Sequence, residues 1–357
     1  MKVLVRIAAL LIVVLLVFYY TDNRVKENKL LEGPIKQIAS MPVANKGVGA
    51  PIPQTSRPEK GLSSLVGKTT EELVEVMGKP NRVEPSGYGY DWWVYFENVH
   101  CMVGVTKDGK VNQVYTSDIS SVITPFEIGQ NIKDIYRFTI VGSEIDISLG
   151  ENVYTFSLNN EDMKTRLLII YKDLYAQLYV DGIDGDLEAV RFIDPLTLVL
   201  HQPYDMTFTG DMIVSPVPSS TLQLEVDLTA ERQIFELTNS YRSRHGLVEL
   251  ENDYRLKLIA QKHSEDMMLE SYSAFDSEEP DNLTKRLKEA KINHLRAGEN
   301  IASNYVDAIE VVHGWLNSPA HRNVLLEKHF TNIGIGVYGK YYTQSLIEVS
   351  EDDNRKR

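Results

Sequence analysis

Apolar residues run from Ile7 to Tyr20, fourteen positions without a charge, behind Lys2 and Arg6. A positively flanked apolar core at that place reads as a targeting segment. Val3–Tyr20 is eighteen residues, close to the roughly 20 that span a bilayer, and Tyr19 and Tyr20 suit the outer interface. Neither a small-x-small cleavage pattern nor a lipid-accepting cysteine follows. Residues 1–20 are therefore expected to be a signal anchor with a cytoplasmic N-terminus. Secretion after cleavage is the alternative. Hydrophobic periodicity then lapses over 21–60, which carry Pro34, Pro42, Pro51, Pro53 and Pro58 and read as a semi-extended tether.

From 61 to 205 the pattern changes to short elements. In Gly67–Pro80, Thr69 or Thr70 can cap a helix, Glu71 and Glu72 fill its first turn, and Gly78 with Pro80 stops it. Strand-like runs follow at 91–97, 99–107 and 111–117, with Asp108-Gly109 as a hairpin signal. The helix pattern recurs at 129–138, offset by 62 residues, with Leu73 over Ile135 and Val76 over Phe138. Strand-like runs at 152–158, 166–172, 174–180 and 187–193 come after it. The expectation is a duplicated helix-plus-hairpin α+β domain sharing one antiparallel sheet. Residues 206–221, rich in proline and serine, read as a linker.

Helical spacing dominates from 222 to 350. Ile234, Leu237 and Tyr241 mark one amphipathic helix over 229–244, closed by Gly246. A second is expected over 253–270, with Leu256, Ile259, Ala260, His263 and Met267 on one side, and further helices over 283–290 and from 306 past 315. Residues 332–339 and 342–349 alternate as strands joined at about Gly339-Lys340, with another strand near 299–302.

Composition narrows the partners. Apolar residues make up 43% of the 357 and charged residues 24%, ordinary for packed domains, while the net charge is −13. Such an acidic surface repels nucleic acid, so none is expected as a partner. The single cysteine, Cys101, lies in an apolar run and reads as a small buried side chain. It cannot form an internal disulfide. Tyr88, Tyr90, Trp92, Trp93 and Tyr95 form an aromatic cluster that reads as core packing rather than a ligand platform.

Four ordered motifs mark the last third: Ala297-Gly298-Glu299-Asn300-Ile301-Ala302, Gly314-Trp315 through His321-Arg322, Phe330-Thr331-Asn332-Ile333-Gly334-Ile335-Gly336-Val337, and Tyr341-Tyr342-Thr343-Gln344. They resemble the CAP superfamily (cysteine-rich secretory proteins, antigen 5, pathogenesis-related proteins) in its bacterial, disulfide-free form. The resemblance implies an α-β-α sandwich over 222–350. Residues 61–205 resemble the domain that precedes CAP domains in some bacterial surface proteins.

Many members of that superfamily hold two histidines and two acids in a cleft, some with a divalent metal. Carried over by position, the resemblance gives Glu299 and His321, while the other two places fall on Phe275 and Ser318. A catalytic zinc site wants three protein ligands, and His263 is the only further candidate near the cleft. No cofactor is therefore expected, with a divalent metal as the alternative. Two roles remain for Glu299 and His321: base and acid of a hydrolase, or a buried hydrogen-bonded pair fixing the loops. Asn300 suits backbone hydrogen bonding and Arg322 an incoming carboxylate. Gly334 and Gly336 permit a helix or ligand to come close to the strand. The expected function is a membrane-anchored extracellular module binding a small apolar molecule, a peptide or a wall fragment. A hydrolase of peptide or wall material is the alternative.

Overall fold

The computed structural model describes residues 6, 25–34, 36–41, 57–96, 100–139, 141–269 and 282–349. The signal anchor, except Arg6, and the Phe275 position lie outside them. Among the described residues no helix is long and apolar enough to cross a membrane. The chain divides into two compact units, 1–30 with 241–302 and 320–357, and 31–240 with 303–319.

The first unit is built on a sheet ordered Val25–Glu27, Arg296–Ser303, Tyr341–Glu348, Asn332–Tyr338, Glu251–Asn252. The hairpin expected at Gly339-Lys340 is present, pairing Tyr338 with Tyr341 and Ile333 with Leu346, and Gly339 takes φ 60°. The helix Tyr254–Leu269 buries Leu256, Ala260, His263, Ser264 and Met267 on one face. It lies directly on strand Asn332–Tyr338. A Cβ on Gly334 or Gly336 would meet its main chain at Leu256–Lys257 and Ala260–Gln261. Those glycines are there to let the helix in, and Ser264 secures it by donating to the carbonyl of Gly336 (2.9 Å). Leu256, Leu283, Leu287, Ile292, Ala297, Ile347 and Val349 form the core, with Val25 packed against it.

The second unit contains a seven-stranded antiparallel sheet, ordered Arg166–Tyr171, Leu174–Val180, Leu187–Ile193, Val111–Thr116, Cys101–Thr106, Tyr90–Tyr95, Arg82–Pro85. The two expected groups of strands meet where Val190 pairs with Thr116 and Ile193 with Gln113. Helix Thr70–Met77 starts with a capping box between Thr69 and Glu72 and stops at Gly78, φ 77°. Helix Ile132–Phe138 is capped by Asn131. Cys101 and Trp92 are fully or almost fully buried, and Tyr90 packs edge-on to Trp92 at 5.2 Å. Burial pushes the Cys101 thiol pKa up, so it stays a neutral core group.

Three expectations need correction. Asn152–Ser157 does not join the large sheet but a second one, ordered Ile38–Ser40, Asp205–Thr209, Asn152–Ser157, Glu144–Leu149. Its alternating buried face (Ile145, Ile147, Tyr154, Phe156) needs its own core, closed by Leu198 and Tyr204. The tether and the linker each contain a strand of this sheet, Ile38–Ser40 and Asp205–Thr209. Val25–Glu27, also in the expected tether, is a strand of the first unit. Strands this short carry too few residues for periodicity to register, and main-chain pairing asks for no apolar composition. Helices Pro195–His201, capped by Asp194 with Pro195 at its first position, and the first turns of Ser220–Arg244 also went unexpected.

Candidate functional site in the cleft

Glu299 and Asn300 sit side by side on strand Arg296–Ser303, so their side chains leave opposite faces of the sheet. Glu299 is 3% exposed and points at the helix side. There Arg286 grips it with both arms, Nη1 to Oε1 at 3.0 Å and Nη2 to Oε2 at 2.7 Å. Ser345 donates its hydroxyl to Oε1 (2.8 Å), and His263 Nε2 lies 3.8 Å from Oε2. Burial by itself would raise the carboxyl pKa. Arg286, then His263, and the bonds from Arg286 and Ser345 outweigh it and hold Glu299 below its ordinary 4.5.

The expected Glu299–His321 pair is therefore not the one that forms. His321, on helix Pro319–Leu325, donates Nε2–H to the carbonyl of Lys29 at 2.9 Å, which fixes its tautomer. Burial lowers its pKa, and the Lys29 bond only partly restores it. Asn300 is fully buried and bonds from both ends of its amide, to one main-chain carbonyl and two side chains. Its Nδ2 donates to the carbonyl of His321 (3.1 Å) and to Gln344 Oε1 (3.1 Å), and its Oδ1 accepts from Asn28 Nδ2 (2.7 Å). Arg322 reaches His245, Nη2 to Nε2 at 3.4 Å. Ser318 caps the end of helix Ala308–Asn317.

Sequence reasoning missed Arg286, Ser345 and the segment Glu27-Asn28-Lys29. Arg286 left a trace: it shares one helix face with Leu283 and Leu287, both buried, and a charge on an apolar stripe requires a buried counter-charge. The segment left none, being short and polar.

The donor set does not suit a divalent cation. Both oxygens of Glu299 already face a guanidinium, which puts positive charge where a metal would add more. Among the described residues no three His, Cys, Asp or Glu groups are placed to hold an ion. What the arrangement does supply is an ionised, charge-neutralised carboxylate on one face of the strand, and hydrogen-bonding groups at Asn300 and His321 on the other.

Residues 66–204 match the family described as CAP-associated N-terminal, and residues 235–349 match the cysteine-rich secretory protein family. A Bacillus subtilis (strain 168) protein named uncharacterized membrane protein YlbC is 37% identical over 293 residues, covering 82% of this chain and 84% of that protein. The crystal structure of an extracellular protein containing a SCP domain from Bacillus anthracis str. Ames is similar with TM-score 0.77 and 34% identity, over 83% of this chain and 97% of that one. A cysteine-rich secretory protein from Staphylococcus aureus subsp. aureus Mu50 shares the fold, with TM-score 0.73 and 24% identity over 90% and 100% of the two chains.

Proposed function

The chain belongs to the cysteine-rich secretory protein (CAP) family, and from that premise we propose that it is a binding module displayed outside the membrane, not a hydrolase. One observation supports this most: the two-armed grip of Arg286 on Glu299. A general base works best with a pKa near the working pH. Glu299 is instead driven down and its lone pairs are already engaged. Freeing it would strand a guanidinium that is itself buried, at a cost of several kcal/mol. His321 has its one N–H spent on a main-chain carbonyl.

For location, the proposal is a single-pass anchor over 1–20 with the folded units outside the cell. The uncharged run Ile7–Tyr20 supports it, together with a relative named as a membrane protein and a structural relative named as extracellular. Membrane fractions of expressing cells should retain the intact N-terminus. A soluble product beginning after Tyr20 would replace the anchor with secretion.

The deciding experiment is metal and turnover analysis of the purified full chain. We expect no stoichiometric zinc and no release of fragments from peptide or cell-wall substrates. Zinc retained one-to-one and lost in His321→Ala, or turnover lost in Glu299→Gln, would return the hydrolase reading.

A further inference from the structure

The strand Arg296–Ser303, which carries the Gly-Glu-Asn motif, would be the edge of its sheet but for two short strands, Val25–Glu27 and Leu31–Glu32, and the first of them lies along the motif. That strand, Val25–Glu27, pairs with it in parallel, Val25 opposite Ala297, Lys26 opposite Gly298 and Glu27 opposite Glu299. Pairing continues past the strand, since Asn28 donates its N–H to the carbonyl of Glu299 (3.2 Å). The contacts then become specific. Asn28 Nδ2 donates to Asn300 Oδ1 (2.7 Å) and to the carbonyl of Ala320 (3.1 Å), and the carbonyl of Lys29 accepts from His321 (2.9 Å). Glu27 Oε1 accepts the N–H of Leu283 (2.7 Å) at the start of helix Leu283–Glu289.

We propose that this groove is a peptide site: it takes an extended polypeptide as an added parallel strand, and residues 25–29 are its built-in occupant. The inference rests on the non-catalytic reading above and names the ligand class for the same cleft.

Three features carry it. First, the residues that mark the cleft in the sequence, Asn300 and His321, spend hydrogen bonds on this segment. Second, Lys26, Glu27 and Lys29 are exposed and Val25, Asn28 and Leu30 only half-buried, so the segment anchors little of the core. Part of its hold is main-chain hydrogen bonding along the strand, each bond worth roughly 0.5–1.5 kcal/mol net, which any extended peptide can reproduce. Third, one of the side-chain contacts reads a carboxamide: Asn300 Oδ1 and the Ala320 carbonyl both accept from the same Nδ2. A ligand peptide should carry Asn or Gln there. Glu27 is a weak point of the built-in strand. Although the residue as a whole is exposed, desolvation of its carboxyl first, and then the neighbouring Glu299 charge, push its pKa up despite the Leu283 bond.

The test uses the full chain in detergent micelles and a fluorescein-labelled peptide Val-Lys-Glu-Asn-Lys-Leu, read by anisotropy. Asn28→Pro removes both the N–H and the carboxamide of the occupant and touches nothing in the cleft wall. A chain whose competent state is only partly populated binds weakly in proportion. We therefore expect the peptide to bind Asn28→Pro at least about tenfold tighter than the parent chain. A peptide with Asn replaced by Asp should lose that gain. Hydrogen exchange at 297–300 should rise in Asn28→Pro and fall again with peptide, an independent check that the groove is intact. Equal affinity in the two chains, or no binding by either, overturns the peptide site and leaves the metal and turnover results to judge the non-catalytic reading. Tighter binding followed by cleavage of the peptide keeps the site and overturns the non-catalytic reading.

Discussion

Arg166 and Glu310 lie 144 residues apart in the chain and form an ion pair shielded from water, Nη1 to Oε2 at 3.1 Å. Arg166 also donates to Asp162 (2.8 Å) and to the carbonyl of Pro203 (2.8 Å), and Glu310 accepts from Gln177 (2.9 Å). Nearby, Arg191 donates to both oxygens of Asp307, at 3.0 and 2.8 Å. Two acids of the 303–319 segment thus neutralise two arginines of the large sheet, and this piece of the CAP region belongs with that sheet to the second compact unit.

Removing one member of such a pair leaves an uncompensated buried charge. Glu310→Ala should cost about 3–5 kcal/mol in urea unfolding. A fragment ending in the 206–221 linker loses both acids and should fail to give a cooperative transition. A fragment of 61–205 melting as sharply as the whole chain would show that the pairs contribute little.

The Arg286–Glu299 grip makes a similar forecast in the other unit. Arg286→Ala should lose about 3–5 kcal/mol, and Glu299→Ala a comparable amount. The double variant should lose clearly less than the sum, because neither charge is then stranded. Additive losses would mean that the two side chains do not stabilise each other.

Acid should weaken the protein in two steps. His321 has its folded pKa below 6.5, so as pH falls the unfolded chain takes the proton first. Its contribution is complete above about 6.5 and is lost as pH drops through the folded value. Glu299 behaves likewise from 4.5 downward, since its folded pKa is also depressed. Glu27 has the opposite sign: its folded pKa lies above 4.5, so as pH falls toward 4.5 its protonation relieves a cost and offsets part of the decline before the second step begins. Urea midpoints measured from pH 8 to 4 should show the first decline, and His321→Gln should lack it. Parallel curves for the two proteins would reject the assignment.

Gly336→Ala should destabilise by about 1–3 kcal/mol, because the new methyl meets helix main chain at Ala260–Gln261 and neither element can yield locally. A melting temperature unchanged by that single carbon would show the helix to be less tightly seated on the strand than described.

Much of the fold was legible because long elements repeat their signal. The stripe Leu256, Ala260, His263, Met267 and the strand glycines Gly334 and Gly336 predict each other, helix face against bare strand. The motif residues Glu299, Asn300 and His321 were likewise visible as a group. Their partners were not. Hydrogen-bond geometry decides between His321 and Arg286 as the mate of Glu299, and nothing in linear spacing encodes that choice.

Sequence alone determined the element types of the long segments, the acidic surface, the apolar N-terminal run and the family to which the chain belongs. These follow from periodicity and local chemistry, which need only neighbours a few residues away. Tertiary structure decided the partners of the motif residues: Arg286 for Glu299, and Asn28 and Lys29 for Asn300 and His321. It also decided that 303–319 joins the second unit and that short pieces of the tether become strands. Those outcomes depend on pairing a buried charge or a bare sheet edge with whatever the folded chain brings within about 3 Å, and residues more than 250 positions away supply some of the answers.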